Sequence, residues 1–257
     1  MGKDSSKKLA IVTGGARGIG LSIANRFYDE GFHVIILDRD KTSLELTRTT
    51  LTGKEGIECI YCDVSIPDQV LSVFNHLISK YHRIDALINN AGIAIFKKAE
   101  ELTFGDWTEV LATNLNGTFF CSQAALPGLL NVNGSIVNIA SISGVRASTL
   151  RMAYGTSKAA LMHLTKQQAV EYGNKGVRSN AVAPGPVETE MAKLVHSADI
   201  RTSYKDAIPL ARYGTPDEIA NVVYFLCSDQ ASYINGQIIA VDGGFDAAGV
   251  GLPSLRV

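Results

Sequence analysis

The sequence predicts an α/β fold in which one parallel sheet is covered by helices on both faces. Three observations support this prediction. Short β-branched runs alternate with amphipathic segments along all 257 residues, the runs are apolar throughout, and no linker, repeat or low-complexity tract divides the chain. We therefore expect a single domain over residues 1–257, with a polar segment over residues 1–8 and a tail over residues 246–257.

Seven strands and six helices follow from this alternation. The strands are predicted over residues 9–13, 33–37, 57–61, 84–88, 135–139, 177–182 and 237–241. The helices are predicted over residues 19–30, 40–51, 67–80, 103–131, 152–174 and 215–228. Residues 215–218 place Thr, Pro and Glu in the order of a capping box, and residues 103–106 form a looser version of it.

Composition and charge exclude several classes of protein. The chain carries 24 Lys plus Arg against 25 Asp plus Glu, so no overall basic field is available for nucleic acid or anionic lipid. Its 46% hydrophobic content is incompatible with intrinsic disorder. The longest apolar run covers residues 222–227, whereas a membrane span needs about 20 residues, and residues 9–12 are too few for a signal peptide core. We expect a cytoplasmic protein without a membrane or nucleic-acid partner.

The cysteines and histidines do not predict a redox or metal site. Cys59 and Cys62 form a C-x-x-C pair, a spacing that also occurs in redox and metal centres. Cys59 lies in a predicted strand and Cys62 directly follows it, however, so their side chains should point to opposite faces of the sheet as buried structural thiols. The five histidines show no ligand spacing, and we expect no metal.

The turn after the first predicted strand has features of a phosphate-binding loop. Residues 13–20 have the sequence Thr-Gly-Gly-Ala-Arg-Gly-Ile-Gly, in which the glycines permit close approach of backbone to a pyrophosphate. Asp38 ends the second strand, where a carboxylate accepts hydrogen bonds from ribose hydroxyls and repels a 2′-phosphate. Asp38 therefore favours NAD, whereas Arg17 and Arg39 favour NADP because either can pair with that phosphate.

Two further strand ends fit the same crevice. Asp63 and Val64 follow the third strand, where they are placed to contact an adenine edge. Residues 89–92, Asn-Asn-Ala-Gly, follow the fourth strand and offer small side chains beside a ribose. Either segment alone is also typical of an ordinary turn. Their joint position at the carboxyl ends of parallel strands predicts a dinucleotide site.

A candidate catalytic group lies at the start of the fifth predicted helix. Tyr154 and Lys158 are four residues apart and therefore share a helix face. A nearby ammonium lowers the pKa of a tyrosine hydroxyl, which makes the hydroxyl a usable acid and base. Ser141, just past the fifth strand, could polarise a carbonyl at the same sheet edge. An isolated Tyr-x-x-x-Lys is also compatible with a surface pair. Whether Tyr154 and Lys158 are catalytic therefore depends on the other motifs.

Together these motifs resemble the short-chain dehydrogenase/reductase family over about residues 8 to 244. The resemblance rests on motifs that occur in family order: Thr13-Gly14-x-x-x-Gly18-x-Gly20, Asn89-Asn90-Ala91-Gly92, Asn114, Ser141, Tyr154-x-x-x-Lys158, Pro184-Gly185-Pro186-Val187-x-Thr189 and Val241-Asp242-Gly243-Gly244. It implies a doubly wound Rossmann-type domain with a seven-stranded parallel sheet and a nicotinamide cofactor. It also implies a homotetramer in which the helices over 103–131 and 152–174 pair between subunits.

The resemblance also implies roles for individual residues. Tyr154 would be the acid/base, Ser141 would orient the substrate oxygen, and Lys158 would hold the nicotinamide ribose. Asn114 would support a water-linked proton relay to Lys158, and Thr189 with the Val187 backbone would contact the carboxamide. The residues expected to bind the cofactor are Gly14, Arg17, Gly18, Ile19, Gly20, Asp38, Asp63, Val64, Asn90, Ala91, Gly92, Tyr154, Lys158, Pro184, Gly185, Val187 and Thr189.

The predicted function is NAD(H)-dependent interconversion of a secondary alcohol, such as a polyol, sugar or other hydroxy compound, and its ketone. An alternative is an NADPH-dependent reductase of a 3-oxoacyl-carrier-protein or another ketone. Carrier-dependent reductases of this family usually present basic residues after the helix that corresponds to 103–131, and residues 129–134 contain none. A non-catalytic nucleotide sensor is less well supported, because both Tyr154 and Lys158 are present.

The substrate pocket is less well defined by the sequence. Its candidate residues are Ile93, Ala94, Ser143, Val145, Arg151, Pro186 and the segment 191–209, which resembles the family's substrate lid. Arg146 and Arg151 flank the catalytic loop. Either could anchor a carboxylate or phosphate, although loop arginines are more often solvated or intersubunit.

Overall fold

A computed structural model describes residues 7–249 and contains a seven-stranded, fully parallel sheet. The strands are β1 Leu9–Thr13, β2 His33–Asp38, β3 Ile57–Tyr61, β4 Ala86–Asn89, β5 Ser135–Ile139, β6 Arg178–Pro184 and β7 Ile238–Val241. Their order in the sheet is β3-β2-β1-β4-β5-β6-β7. The order reverses between β1 and β4, which is the crevice where doubly wound folds bind ligands. The predicted fold class is confirmed.

Helices cover both faces of this sheet. They are α1 Gly18–Asp29, α2 Lys41–Thr50, α3 Pro67–Tyr81, α4 Phe104–Leu111, α5 Gly117–Leu130, α6 Ile142–Val145, α7 Met152–Gly173, α8 Glu190–Val195, α9 Ala198–Ala207 and α10 Pro216–Cys227. Helix α1 packs against α10, and α3 packs against α5. The predicted capping box begins α10, where the Thr215 hydroxyl accepts from Glu218 N and the Glu218 carboxylate accepts from Thr215 N.

Two apolar layers separate the sheet from the helices. Val12 and Ile36 belong to the layer under α1 and α10, whereas Ile11 and Ile35 belong to the layer under α3 and α5. This alternation explains why the strands are apolar throughout, since both faces of each central strand are buried. These layers bring every loop that follows a strand to one edge of the sheet.

The cysteine pair follows the same alternation. Cys59 packs against one layer and Cys62 belongs to the other, so the predicted opposite orientation is confirmed. Burial raises the pKa of both thiols, that of Cys62 to about 11, so neither has the thiolate character of a redox centre. Within residues 7–249, no cluster of three or more His, Cys, Asp or Glu could hold a metal ion.

Several boundaries differ from the sequence prediction. The segment 103–131 is divided by a π-helical turn over Ala112–Asn116, which lies between α4 and α5. Strand β4 begins two residues later than expected, and β6 continues to Pro184. The segment predicted as a lid contains α8 and α9. Among the described helices, none is long and apolar enough to cross a membrane.

Most of the polar N-terminal segment and most of the tail lie outside the described residues. Only positions 7 and 8 of the former and 246–249 of the latter are described.

Candidate active site

A cavity of about 790 Å³ opens at the carboxyl ends of the strands, beside the β1–β4 reversal. This volume lies in the range typical of ligand sites, roughly 300 to 1,000 Å³. All the residues expected to bind the cofactor line this one cavity, and so does Ser141. Asn114 is the exception among the expected site residues, because it lies behind the cavity wall.

The glycine-rich turn after β1 is tightly packed against the loop after β4. Gly14 has φ +60°, and a Cβ there would lie 2.8 Å from the Ala91 Cα. At Gly20, a Cβ would overlap the Gly14 carbonyl. The sequence therefore needs glycine at both positions, because any side chain would push the turn out of the crevice.

Thr13 joins these two loops, a role that the sequence analysis did not recognise. Its hydroxyl accepts from the backbone N–H groups of Asn90 and Ala91, each at 3.0 Å. The Asn90 amide donates in return to the carbonyls of Thr13 and Gly14. The sequence signals for Thr13 were its place at the start of the glycine motif and its polarity at the end of an otherwise apolar strand. Asn90, which was expected to bind the cofactor, therefore also holds the glycine-rich turn in its conformation.

At the far end of the cavity, Asp38 is fixed by backbone donors. Its carboxylate accepts from Ala16 N at 3.1 Å and from Asp40 N at 3.0 Å. The two arginines that favoured NADP are paired with other carboxylates: Arg17 lies 3.3 Å from Asp40, and Arg39 lies 3.6 Å from Asp63. Both pairs are partly exposed and individually weak. Among the described carboxylates at this end of the cavity, Asp38 is therefore the one without an arginine partner.

Tyr154, Lys158 and Ser141 lie at the opposite end. The Lys158 ammonium is 5.8 Å from the Tyr154 ring centroid and donates to the Ile139 carbonyl at 2.7 Å. Ser141 caps the short helix α6 by accepting from Ser143 N and also forms a side-chain hydrogen bond with Tyr154. The structure thus assembles the three groups that the motifs predicted, at the start of α7 and the end of β5.

Burial is the largest cause of the pKa shifts of Lys158 and Tyr154. It lowers the pKa of Lys158 to about 8. Burial also raises the pKa of Tyr154, although the hydrogen bond from Ser141 and the charge of Arg151 act in the opposite direction. The motifs predicted that Lys158 lowers the Tyr154 pKa. The net shift is upward, because desolvation outweighs the hydrogen bond from Ser141 and the charge of Arg151.

Asn114 is completely buried within the π-helical turn. Its amide oxygen accepts from Ile93 N at 2.8 Å, and its amide nitrogen donates to Ile93 O and to Ser157 Oγ. These bonds use both amide hydrogens and hold the loop after β4 against α7. Its expected place in a proton relay therefore stays a prediction, whereas its support of the cavity wall is visible.

The loop after β6 forms the wall beside the glycine-rich turn. The Thr189 hydroxyl caps α8 by accepting from Ala192 N at 3.2 Å, and the backbone of Val187 forms a bridge with Gly214. A Cβ on Gly185 would lie 2.7 Å from the Asp242 Cα, so this glycine is required by packing against the loop after β7.

These residues fit a nicotinamide dinucleotide. The glycine turn lies at the N-terminus of α1, where backbone N–H groups favour phosphate, and Asp38 lies where a ribose would be bound. Gly92 leaves room next to the ammonium, since a Cβ there would lie 3.4 Å from Lys158 Nζ. The cavity connects these features with Tyr154.

The remaining cavity wall would surround a substrate. Of the expected pocket residues, Ile93, Ala94, Ser143, Arg151 and Pro186 line the cavity, as do parts of α8 and α9, whereas Val145 lies outside its lining. The wall also includes residues that the sequence analysis did not single out: Phe96, Ile142, Ser148, Glu190 and Phe245. Phe245 and Glu190 had no motif to mark them.

The fold and the cavity together define a Rossmann-type dinucleotide-binding protein. Comparisons with known proteins define it further. A family model described as Enoyl-(Acyl carrier protein) reductase matches residues 14–246. A 3-oxoacyl-acyl-carrier-protein reductase of Aquifex aeolicus is 38% identical over 240 residues, which cover 92% of this chain and 96% of that protein.

Two further relatives have other substrates in their names. The meso-2,3-butanediol dehydrogenase of Serratia marcescens is 37% identical over 241 residues, covering 94% of this chain and 95% of that protein. The crystal structure of a short-chain dehydrogenase/reductase of Brucella melitensis, a glucose/ribitol dehydrogenase by its description, superposes with a TM-score of 0.88. It is 33% identical and covers 93% of this chain and 96% of that chain.

The chain belongs to the short-chain dehydrogenase/reductase family, as its motifs predicted. It is an oxidoreductase of a family that uses nicotinamide cofactors.

Proposed function

We propose that this protein is an NAD(H)-dependent oxidoreductase that interconverts a secondary alcohol and its ketone. The observation that carries the proposal is the single cavity that joins Asp38 at one end to Tyr154, Lys158 and Ser141 at the other. The names of the butanediol dehydrogenase and the glucose/ribitol dehydrogenase support an alcohol of this class.

In this mechanism Tyr154 moves the proton of the reacting oxygen. A bound nicotinamide supplies or accepts the hydride. The Tyr154 hydroxyl donates its proton to the ketone oxygen in reduction, and the Tyr154 phenolate accepts the proton of the alcohol in oxidation. Ser141 orients the reacting oxygen by hydrogen bonding. The ammonium of Lys158, held by the Ile139 carbonyl, is placed to bind a ribose hydroxyl, and its charge favours the phenolate.

Asp38 supports NAD in preference to NADP. Its carboxylate is held in place by two backbone N–H groups, so it cannot easily turn away from a 2′-phosphate. Arg17 and Arg39 are engaged by Asp40 and Asp63, which reduces their availability for that phosphate. A contact between the Asp38 carboxylate and the 2′-phosphate would disfavour binding of NADP by up to several kcal/mol, because the two groups have like charge.

A second candidate is reduction of a 3-oxoacyl-carrier-protein with NADPH. The description of the matching family and the name of the Aquifex relative favour it. Against it stand Asp38 and the absence of any Lys or Arg from residues 129–134, where an acidic carrier would need a basic partner. Binding of an acidic carrier protein that weakens with salt would favour this second function.

The test is a panel of secondary alcohols and ketones assayed separately with NAD and NADP couples, using the wild type and Tyr154→Phe. Loss of the acid/base should lower kcat by about 10²- to 10⁴-fold. Cofactor binding, followed by NADH fluorescence, should change little because only one hydroxyl is removed. Tyr233→Phe is the matched control, since Tyr233 is fully exposed. Full activity of Tyr154→Phe on a turned-over alcohol would refute the mechanism.

We also propose a homotetramer as the working form. Large apolar side chains are exposed on the helices that the family resemblance assigns to subunit contacts, including Phe104, Phe119 and Val170. Burying such side chains against another copy is favourable. Light scattering coupled to size-exclusion chromatography tests this: a monomer at assay concentration would refute it.

A further inference from the structure

Arg151 lies in the substrate part of the cavity and has no carboxylate partner among the residues that the structure describes. It is partly buried, directly before α7. Its guanidinium carbon lies 4.9 Å from the Phe96 ring centroid and 5.7 Å from the Tyr154 ring centroid. Within residues 7–249, no carboxylate lies within ion-pair distance of the Arg151 guanidinium, and the guanidinium donates no hydrogen bond.

The other arginines that line or adjoin the cavity are different. Arg17 and Arg39 pair with aspartates, and Arg201 pairs with Glu188 on the lid side. Arg146, which was expected to flank the catalytic loop with Arg151, is exposed and donates to the Phe245 carbonyl at 2.7 Å. Arg151 is thus the cavity arginine whose N–H donors are not used by the described protein groups.

The groups around Arg151 do not compensate its charge. His196 faces it from the loop after α8, and its Nδ1 lies 3.1 Å from the Tyr213 hydroxyl. Burial, together with the charges of Arg151 and Arg201, lowers the pKa of His196 against the opposing charge of Glu188, which favours the neutral ring. Ser143 and Ser148 contribute hydroxyls that contact each other at 3.3 Å. Glu190, the acidic residue on this part of the wall, is exposed and forms no ion pair with Arg151.

We propose that Arg151 binds an anionic group of the substrate, so that the substrate is a secondary alcohol or ketone carrying a carboxylate or phosphate. This inference rests on the proposed function. A guanidinium presents a planar set of donors that matches both anions in a bidentate manner. The two ring contacts hold its position without using those donors. The same contact places the bound anion next to Tyr154, and therefore close to the reacting carbon.

An alternative role for Arg151, in which its charge acts only on the pKa of Tyr154, has a different experimental consequence. The charge of Arg151 also opposes the rise in the Tyr154 pKa caused by burial. If that were its whole contribution, replacing Arg151 would affect neutral and anionic substrates equally. Comparison of matched substrates therefore separates substrate binding from tuning of the acid/base.

The experiment measures NAD-dependent oxidation of three probes that share one polyol chain: sorbitol, gluconate and sorbitol 6-phosphate. The variants are Arg151→Gln, Arg151→Lys and the control Arg26→Gln, whose guanidinium also lies over a tyrosine ring, at 5.0 Å from Tyr224, but outside the cavity. Arg151→Gln should lower kcat/KM for the anionic probe by about 10- to 100-fold, mainly through KM. The loss with sorbitol should be clearly smaller, because only the charge that Arg151 places near Tyr154 is removed. Arg151→Lys should recover part of the loss on the anionic probe, and Arg26→Gln should match the wild type.

The preferred anion is identified by which charged probe shows the larger loss. Equal losses on sorbitol and on the charged probes would overturn the proposal, because they would mean that Arg151 acts only on the pKa of Tyr154. No loss on any probe would also overturn it.

A binding measurement covers the case in which these polyols are poor substrates. Malonate, inorganic phosphate and neutral malonamide are titrated calorimetrically into the protein with NAD present. Malonate or phosphate should bind to the wild type and not to Arg151→Gln, and malonamide should bind to neither. Equal anion binding by both proteins would overturn the inference. Absence of NAD reduction across the whole alcohol panel would instead count against the proposed function, and anion binding lost in Arg151→Gln would still support this site.

Discussion

Replacing the buried Lys158 by methionine should make the stability of the protein less dependent on pH. Lys158 is 3% exposed, and its ammonium has one protein hydrogen-bond acceptor, the Ile139 carbonyl. Burial lowers its pKa from 10.5 to about 8. Folding therefore disfavours the charged form, and protonation of Lys158 favours the unfolded chain.

The size and sign of the effect follow from these two values. Above pH 10.5 the group is neutral in both states and costs nothing. As pH falls from 10.5 to about 8, the unfolded chain takes up the proton first, and below pH 8 the full cost is about 3 kcal/mol. Between about pH 9.5 and about pH 6.5, roughly 2 kcal/mol of this cost develops. Lys158→Met removes this contribution, while loss of the hydrogen bond to Ile139 adds an offset that does not depend on pH.

Equilibrium urea unfolding at several pH values measures this difference. Lys158→Met should gain about 2 kcal/mol relative to the wild type between the alkaline and the acidic condition. Lys166→Met is the matched control, because Lys166 is an exposed lysine on the same helix, α7. A free-energy difference between Lys158→Met and the wild type that does not vary with pH, or that varies with the opposite sign, would refute the reasoning.

Two further predictions concern cofactor binding. Asp38→Ala should lower kcat/KM with NAD by about 10- to 100-fold, because a charge-assisted hydrogen bond is lost, and should raise it with NADP. Steady-state kinetics with both cofactors tests this, and an unchanged ratio of the two would contradict the assignment of Asp38. Gly20→Ala should weaken NAD binding and lower the free energy of unfolding by about 1 to 3 kcal/mol, because its Cβ would overlap the Gly14 carbonyl and displace the turn. Fluorescence titration and thermal unfolding measure these effects; wild-type affinity in Gly20→Ala would show that the turn is not a close-packed binding element.

The sheet and most of the cavity could be predicted because they depend on short-range patterns. Buried parallel strands are uninterrupted apolar runs, and all parallel strands end at one edge. Residues that follow different strands, such as Gly14, Asp38 and Ser141, therefore had to meet there. Tyr154 and Lys158 were predictable because helical spacing places them on one face.

Other features depend on contacts that no local pattern contains. The π-helical turn follows from Asn114, whose hydrogen bonds reach Ile93, 21 residues away, and Ser157, 43 residues away. The direction of the shift in the Tyr154 pKa depends on the burial of its hydroxyl, which the surrounding loops determine. Arg151 differs from the neighbouring arginines in having no ion pair among the described residues, and this difference depends on where the carboxylates of the folded chain lie. In each case the decisive neighbour is distant in sequence.

The hydrogen bonds between Thr13 and the loop after β4 have a consequence for how the chain acquires its binding competence. They connect residues 77 and 78 positions apart, so the phosphate-binding turn is a nonlocal structure even though its motif is local. During synthesis the first strand, turn and helix emerge long before Asn90 does. The turn can reach its final shape only after β4 has paired with β1. Dinucleotide recognition is thus acquired at a defined stage of folding, and a nascent chain that ends before Asn90 has no finished site to compete for the cellular cofactor pool.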